Sequence, residues 1–349
     1  MPLACRPLDE AGEHAWDRFV AAHPDGSFFH RAAWRYVVEK AFRHRTHYLM
    51  AERDGAVSGV LPLAHVRTAL FGNSLISVPF CVYGGPLAAD RASFEALVEQ
   101  AAALMPPTRA GAIEFRFLTP PPEDWLPAEQ WPARRDLYAT FRKPISPDDT
   151  ANMKAIPRKQ RAVVRKGIER GLVSRVGQDV DLLHRIYAES VRNLGTPVFA
   201  RRYFRLLAET FREDMDVVTI CDGDTPVAAV MNFYWRDQVL PYYGGGTRAA
   251  RDCHANDFMY WEVMRRAAAR GCRQFDFGRS KTGTGAFAFK KNWGFTPEPL
   301  HYRFRLAPGA TIPDHNPLNP KYRLFIAAWK KLPLPVANML GPPIVRGLG

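Results

Sequence analysis

Tyr48-Leu-Met-Ala-Glu-Arg-Asp54-Gly55-Ala-Val-Ser-Gly-Val-Leu-Pro-Leu63 decides the reading of this chain, because a second stretch repeats its plan: Val217-Val-Thr-Ile-Cys-Asp222-Gly223-Asp-Thr-Pro-Val-Ala-Ala-Val-Met231. Each is an apolar run, an Asp-Gly turn and a second apolar run, which is the pattern of a β-hairpin. The echo extends outward. Tyr83-Gly84-Gly85 returns as Tyr243-Gly244-Gly245, and Phe115-Arg116-Phe117 returns as Phe275-Asp276-Phe277, both at an offset of 160 residues. Two elements at one offset and in one order predict two copies of one domain. The expected division is residues 1–150 and 151–349. Where the copies differ, chemistry has had room to enter one of them.

Around these anchors the spacing predicts helices alternating with hairpins. In the first copy a helix is expected over Phe28–Ala41, then the Asp54-Gly55 hairpin, a strand over Ser74–Tyr83, a helix over Asp90–Leu104 and a strand from Ala112 to Leu118. In the second copy helices are expected over Asp181–Asn193, Arg201–Phe211 and 257–270, with a hairpin over 217–235 and strands over 239–243 and 272–277. Gly271 suits a helix C-cap. The fold class is α/β with mixed sheets. Pro120 to Pro132 reads as loop, and Pro144–Pro147 as the start of the interdomain connection. From Pro308 onward the chain is proline-rich. Tyr322–Leu332 reads as a short basic amphipathic helix, packed on its own domain or lying on a membrane surface.

The 349 residues carry 48 Lys and Arg against 35 Asp and Glu, a net charge of +13. That excess favours an anionic partner: nucleic acid, a nucleotide-linked substrate, a phosphate or an acidic membrane surface. The alternative is a generally basic protein. Cys5, Cys81, Cys221, Cys253 and Cys272 form no C-x-x-C pair, so reduced thiols are expected and a metal centre is not. The histidines show no ligand spacing. No apolar run reaches the ~18 residues of a membrane span, and the first residues lack a hydrophobic signal region. A cytoplasmic protein is expected, with peripheral contact at the inner membrane face through the tail as a further expectation.

Three stretches can carry chemistry. Pro157 to Gly171 is a basic helix opened by proline and closed by glycine. Its Arg158, Arg161 and Arg165 share one face, while Val164 and Ile168 are placed to pack inward. Stacked like charges disfavour such a helix unless an anion fills the gap; the alternative is a solvated basic face. The second stretch, Phe275 to Phe295, puts Phe275 and Phe277 on one face of a strand and Asp276 on the other, where the first copy has Arg116. Gly278, Gly283 and Gly285 free the backbone there, and Arg279, Lys281, Lys290 and Lys291 bring positive charge. The run Gly283-x-Gly285-x-x-Ala288 does not follow directly on the strand, and a Walker loop is absent, so neither nucleotide fingerprint applies. Third, Tyr243-Gly-Gly-Gly246 precedes a helix that Asn256 or Asp257 is placed to cap, a setting for an anion or oxyanion, or for a sheet bulge. No G-x-S-x-G elbow occurs.

These residues resemble the FemAB-like branch of the GNAT acyltransferase superfamily, in particular its exosortase- and exopolysaccharide-associated group. The matching text is Phe28-Phe-His-Arg-x-x-Trp34, Pro79-Phe-x-Val-Tyr-Gly-Gly85, Lys159-x-Arg161 to Gly171, Tyr243-Gly-Gly-Gly, and Phe275-Asp-Phe-Gly-Arg279 through Phe289-Lys290-Lys-x-Trp-Gly294. The resemblance implies two tandem GNAT-like domains and transfer of an acyl or aminoacyl group to an amine on a sugar or peptide precursor of the cell envelope. It implies that Lys290, next to Phe289, stabilises the developing oxyanion; Asp276 is in addition placed to orient or deprotonate the amine. Arg158, Arg161 and Arg165, with Tyr83, Tyr243, Asn256, Arg279, Lys281, Phe289 and Lys291, are the expected substrate contacts. The coiled-coil arm of some tRNA-using relatives has no counterpart. Arg279 stands one residue too far from Gly283 for the acetyl-CoA loop. The donor is therefore open between acyl-CoA and aminoacyl-tRNA, with no resident cofactor expected. Two rival classes are a noncatalytic protein that holds an anionic glycan or its nucleotide- or lipid-linked precursor, and a general nucleic-acid binder.

Overall fold

The computed structural model describes residues 3–68, 72–134, 137–312 and 323–348. The chain divides into two compact units: Met1–Leu137 with Pro299–His315 and Arg346–Gly349, and Tyr138–Glu298 with Asn316–Val345. Each is built on one mixed sheet. In the first the strand order is Ala4–Pro7, Arg45–Arg53, Ala56–Thr68, Gly72–Ser77, Ala112–Phe117, His301–Leu306, Ala133–Arg134. In the second it is Val173–Gly177, Met215–Asp222, Thr225–Trp235, Gln238–Gly246, Gln274–Asp276, Tyr138–Pro144, Ser280–Lys281. Both sheets hold one parallel pair at the same place, Gly72–Ser77 with Ala112–Phe117 and Gln238–Gly246 with Gln274–Asp276. The duplication read from the sequence is thus a duplication of topology.

The hairpins form for the expected reason, with one shift. Asp54 and Gly55 both take positive φ, as a two-residue primed turn demands, and Arg53 pairs with Ala56. In the second copy Asp222 pairs with Thr225, so the turn residues are Gly223 and Asp224 rather than Asp222 and Gly223. Gly223 supplies the positive φ at the first turn position. Each hairpin carries a bulge near its turn, at Ala51/Glu52 and at Ile220/Cys221.

Five expectations change. The division at 150/151 falls inside the helix Asp149–Ala155, because the units exchange a strand. Tyr138–Pro144 follows the first copy in sequence but pairs with Gln274–Asp276 in the second sheet; His301–Leu306 follows the second copy but pairs with Ala112–Phe117 in the first. The two positions are equivalent: Asp276 faces Arg142 and Arg116 faces Tyr302, at the repeat offset. Pro144 therefore ends a strand of the second sheet and does not begin the connection. The strand expected over Ser74–Tyr83 stops at Ser77, since Pro79 has no N–H and Val78 and Phe80 turn to positive φ. Within the basic helix Arg158–Glu169, Val164 and Gly167 face inward while Ile168 is exposed. Gly167 is there because a Cβ would come within 2.9 Å of the Cβ of Phe258 on the neighbouring helix. Finally, the helix expected over Phe28–Ala41 is a short 3-10 turn at Phe28–His30 followed by an α-helix over Trp34–Phe42.

The second unit's core packs Phe141, Val218, Val230, Phe258, Trp261, Phe275, Phe277, Trp293 and Phe295 between its sheet and helices. The helix Arg323–Trp329 and the helix Leu334–Val345 belong to this unit. Ile326 meets Gly195 and Gly341 meets Val198, so these two helices pack on their own unit. Tyr322 and the rest of 313–322 lie outside the described residues.

Candidate active site

Lys290 and Asp276 come together in the second unit. Asp276 ends the short strand Gln274–Asp276, and its side chain is only 2% exposed. Its Oδ1 accepts the N–H of Gly278 at 2.8 Å, and the Thr140 hydroxyl approaches at 3.5 Å from the exchanged strand. Gly278 has φ +68, a turn that only glycine makes cheaply. That turn aims two carbonyls at Lys290, whose Nζ donates to the oxygen of Gly278 at 2.9 Å and of Arg279 at 3.1 Å. The third N–H donor of Lys290 has no acceptor among the described residues. The ammonium lies 5.4 Å from the ring centroids of both Phe141 and Phe277.

Lys290 is 9% exposed. Burial pushes its pKa down to about 7; Asp276 pulls it back up and Arg279 opposes it further. The result is an amine near its titration midpoint at neutral pH, held by fixed acceptors, with one donor unassigned. Such a group can hydrogen-bond an oxyanion when charged, or exchange a proton near neutrality.

The equivalent place in the first unit is filled differently. Arg116 is 3% exposed, pairs with Glu114 at 2.6 Å and donates to the carbonyl of Cys81 at 2.8 Å. Tyr302 of the returning strand lies against its guanidinium. This arrangement ties up a buried charge within the fold, whereas Asp276 faces an amine that retains a donor.

Residues 151–291 match the acetyltransferase (GNAT) domain family. This stretch is a GNAT acyltransferase domain. The chain as a whole is FemAB-like in fold, a tandem of two GNAT-like units. It resembles the crystal structure of FemX over 87% of this chain and 97% of that one, at 16% identity and a TM-score of 0.67. It resembles a tandem GNAT protein from the clavulanic acid biosynthesis pathway over 89% and 100%, at 13% identity and a TM-score of 0.58. A C-terminal domain from Agrobacterium fabrum, of a protein assigned as a lysylphosphatidylglycerol synthetase, aligns over 85% and 93% at 14% identity and a TM-score of 0.57. The comparison with curated proteins gives no match.

Around Lys290 the GNAT domain gathers several of the other expected residues. Phe289 packs against Tyr260, Phe277 and Trp293 and so fixes the helix Gly285–Asn292 that carries Lys290. Arg279 and Lys281 both lie over the ring of Tyr138, at 4.5 and 5.4 Å from its centroid. Lys291 is exposed. Arg161 and Arg165 form a second cluster. With Lys154, Thr150, Asp149 and Trp261 they line a cleft of about 330 Å³, and the Nε of Arg161 is buried without a hydrogen-bond partner among the described residues. Arg158, though on the same helix, is exposed and does not line that cleft.

Other residues have structural surroundings. Tyr243 is buried among Tyr187, Phe199, Tyr203 and Phe204, and its hydroxyl is 2.7 Å from that of Tyr203. Tyr83 is buried in the first unit against Phe29. Asn256 and Asp257 do not cap their helix. It begins at Ala255 with His254 as the cap residue, so both lie in its first turn.

Three further residues contribute in ways the sequence does not announce. Asp257 is a joint: it accepts from Gln160 of the basic helix and, at 2.9 Å, from the Trp293 indole that ends the Lys290 helix. Burial raises its carboxyl pKa. Tyr138 and Thr140 arrive on the exchanged strand, which no local pattern assigns to this sheet. Among the described residues no cluster of side chains could hold a metal ion.

Proposed function

We propose that the second unit transfers an acyl or aminoacyl group to an amine on a sugar or peptide precursor of the cell envelope or exopolysaccharide. The observation that carries this reading is the buried Lys290 amine, which is held by two carbonyls, keeps one donor unassigned and titrates near neutrality. The acceptor amine attacks the donor carbonyl, and its nitrogen forms a bond to that carbon. The carbonyl oxygen becomes an oxyanion that Lys290 stabilises by hydrogen bonding. The tetrahedral intermediate then collapses, the bond to the departing thiolate or ribose oxygen breaks, the attacking nitrogen loses its proton to solvent, and a departing ribose oxygen takes up a proton from solvent. Asp276 favours the charged form of Lys290 through this sequence. Arg161 and Arg165, facing an open cleft, supply the contact to an anionic portion of a substrate.

Two donors fit this reading, an acyl thioester or an aminoacyl-tRNA. A thermal-shift screen against acyl-CoAs, charged and uncharged tRNA and nucleotide-linked amino sugars makes that choice, because a ligand that binds only the folded state raises the melting temperature. With the donor in hand, Lys290→Ala is expected to lower turnover by about 100-fold, the size of losing one oxyanion donor, with substrate affinity little changed. Undiminished turnover would remove Lys290 from the mechanism. Stabilisation by a glycan alone, with no response to any donor, would favour a binding protein built around the Arg161–Arg165 cleft.

A further inference from the structure

The two helices near the end of the chain expose more apolar surface than their packing requires. Arg323–Trp329 and Leu334–Val345 turn one side onto the second unit, burying Trp329, Ala337 and Gly341. Arg192 reaches across to the carbonyl of Lys330 at 3.3 Å. The other side is also apolar. Leu324 is 83% exposed and Met339 67%, with Phe325 and Leu340 exposed beside them. Nine large hydrophobic side chains are exposed among the described residues, and five belong to this region once Leu194, at the end of the supporting helix, is included. The patch is therefore a local feature and not a general property of the surface. The helix Leu334–Val345 has no charged residue. A helix apolar all round is normally buried in protein or lipid. Between the two helices lies an apolar cleft of about 390 Å³, lined by Phe325, Trp329, Leu332, Leu340 and Ile344 among others.

Charge separates the possible occupants. Arg323, Lys330 and Lys331 are exposed on the hairpin, and no Asp or Glu occurs between Arg323 and Leu348. A second copy docked symmetrically on this face would bring like charges together. An anionic bilayer surface matches both features: apolar side chains enter the acyl boundary while the cations remain at the headgroups. We propose that this hairpin docks the protein on the surface of an anionic phospholipid membrane. No helix among the described residues is long and apolar enough to cross a membrane, so the contact is interfacial.

The proposal does not depend on acyl transfer, and its test contains no donor. The full chain is floated with vesicles of phosphatidylcholine alone and with vesicles that also carry phosphatidylglycerol. It is expected to float with the anionic vesicles, and less so as salt rises. Leu324→Glu together with Met339→Glu should remove flotation. Lys330→Gln and Lys331→Gln should each weaken it about fivefold, the share of one cation near the surface. All four positions are exposed, so an unchanged melting temperature certifies the fold of each variant. Phe325→Trp gives a second readout: the emission of the added indole should shift to the blue when anionic vesicles are added. Failure of the parent protein to float with either vesicle would overturn the proposal, as would equal flotation of the Leu324→Glu/Met339→Glu variant or an unshifted emission from the Phe325→Trp variant. A dimer in solution that the double substitution dissolves would identify a second copy as the occupant instead and would equally overturn it.

Discussion

Lys290→Met isolates the energetic consequence of burying an amine at the site. Methionine keeps most of the volume and removes the charge. The amine's pKa falls from an ordinary 10.5 to about 7 on folding. Each tenfold change in proton affinity is worth about 1.4 kcal/mol, so below neutrality the protonated amine costs the folded state roughly 5 kcal/mol relative to the unfolded chain. Between the two pKa values the unfolded chain holds more protons than the folded one, and stability rises with pH. The penalty is full below the folded value and gone above the unfolded one. From about pH 7 to about pH 9 this single residue should therefore add about 2 kcal/mol to stability. The methionine variant lacks that climb. It also leaves the carbonyls of Gly278 and Arg279 without their donor, a cost that does not vary with pH. Urea unfolding of both proteins across this range reads the difference directly. The parent-minus-variant curve should rise by about 2 kcal/mol over that interval. Parallel curves would refute the reasoning, because an amine that titrates normally in the folded state contributes no slope.

Asp276→Asn removes the charge that favours the ammonium, so the fall of transfer activity on the alkaline side should move to lower pH; an unmoved limb would separate Asp276 from Lys290. The strand exchange makes a prediction about fragments. Residues 138–298 contain the whole second sheet and should unfold cooperatively, whereas 151–298 lack Tyr138–Pro144 and leave Gln274–Asp276 without its antiparallel neighbour. Circular dichroism melts of the two fragments test this, and equal cooperativity would mean that the exchanged strand is dispensable.

Much of this protein could be read locally. The paired hairpins were visible because a primed turn needs particular residues at two adjacent positions, and the alternation of flanking apolar residues marks the strands. Repetition at one offset announced two units without reference to any contact. The divergence of Arg116 and Asp276 at matching positions was visible for the same reason. Asp90, where a helix was expected to begin, accepts the N–H of Ser93 at the head of Arg91–Ala103. Lys290 and Asp276, fourteen positions apart in the chain, lay in one candidate stretch, but the part of Lys290 in transfer was assigned only through a family resemblance.

The sequence by itself determined the elements, their duplication and the residue types available to the site, because turns, caps and periodicity act over a few neighbouring positions. Tertiary structure decided the rest. It sent Tyr138–Pro144 and His301–Leu306 into each other's sheet, since pairing edges are chosen by long-range contacts that no window of sequence contains. It buried Tyr243 among aromatics, turned Ile168 outward, made Asp257 a joint instead of a cap, and aimed two carbonyls at Lys290. Proton affinity followed from that last step. A lysine's pKa depends on the water removed and the charges brought near it, and both exist only once the chain has closed around it.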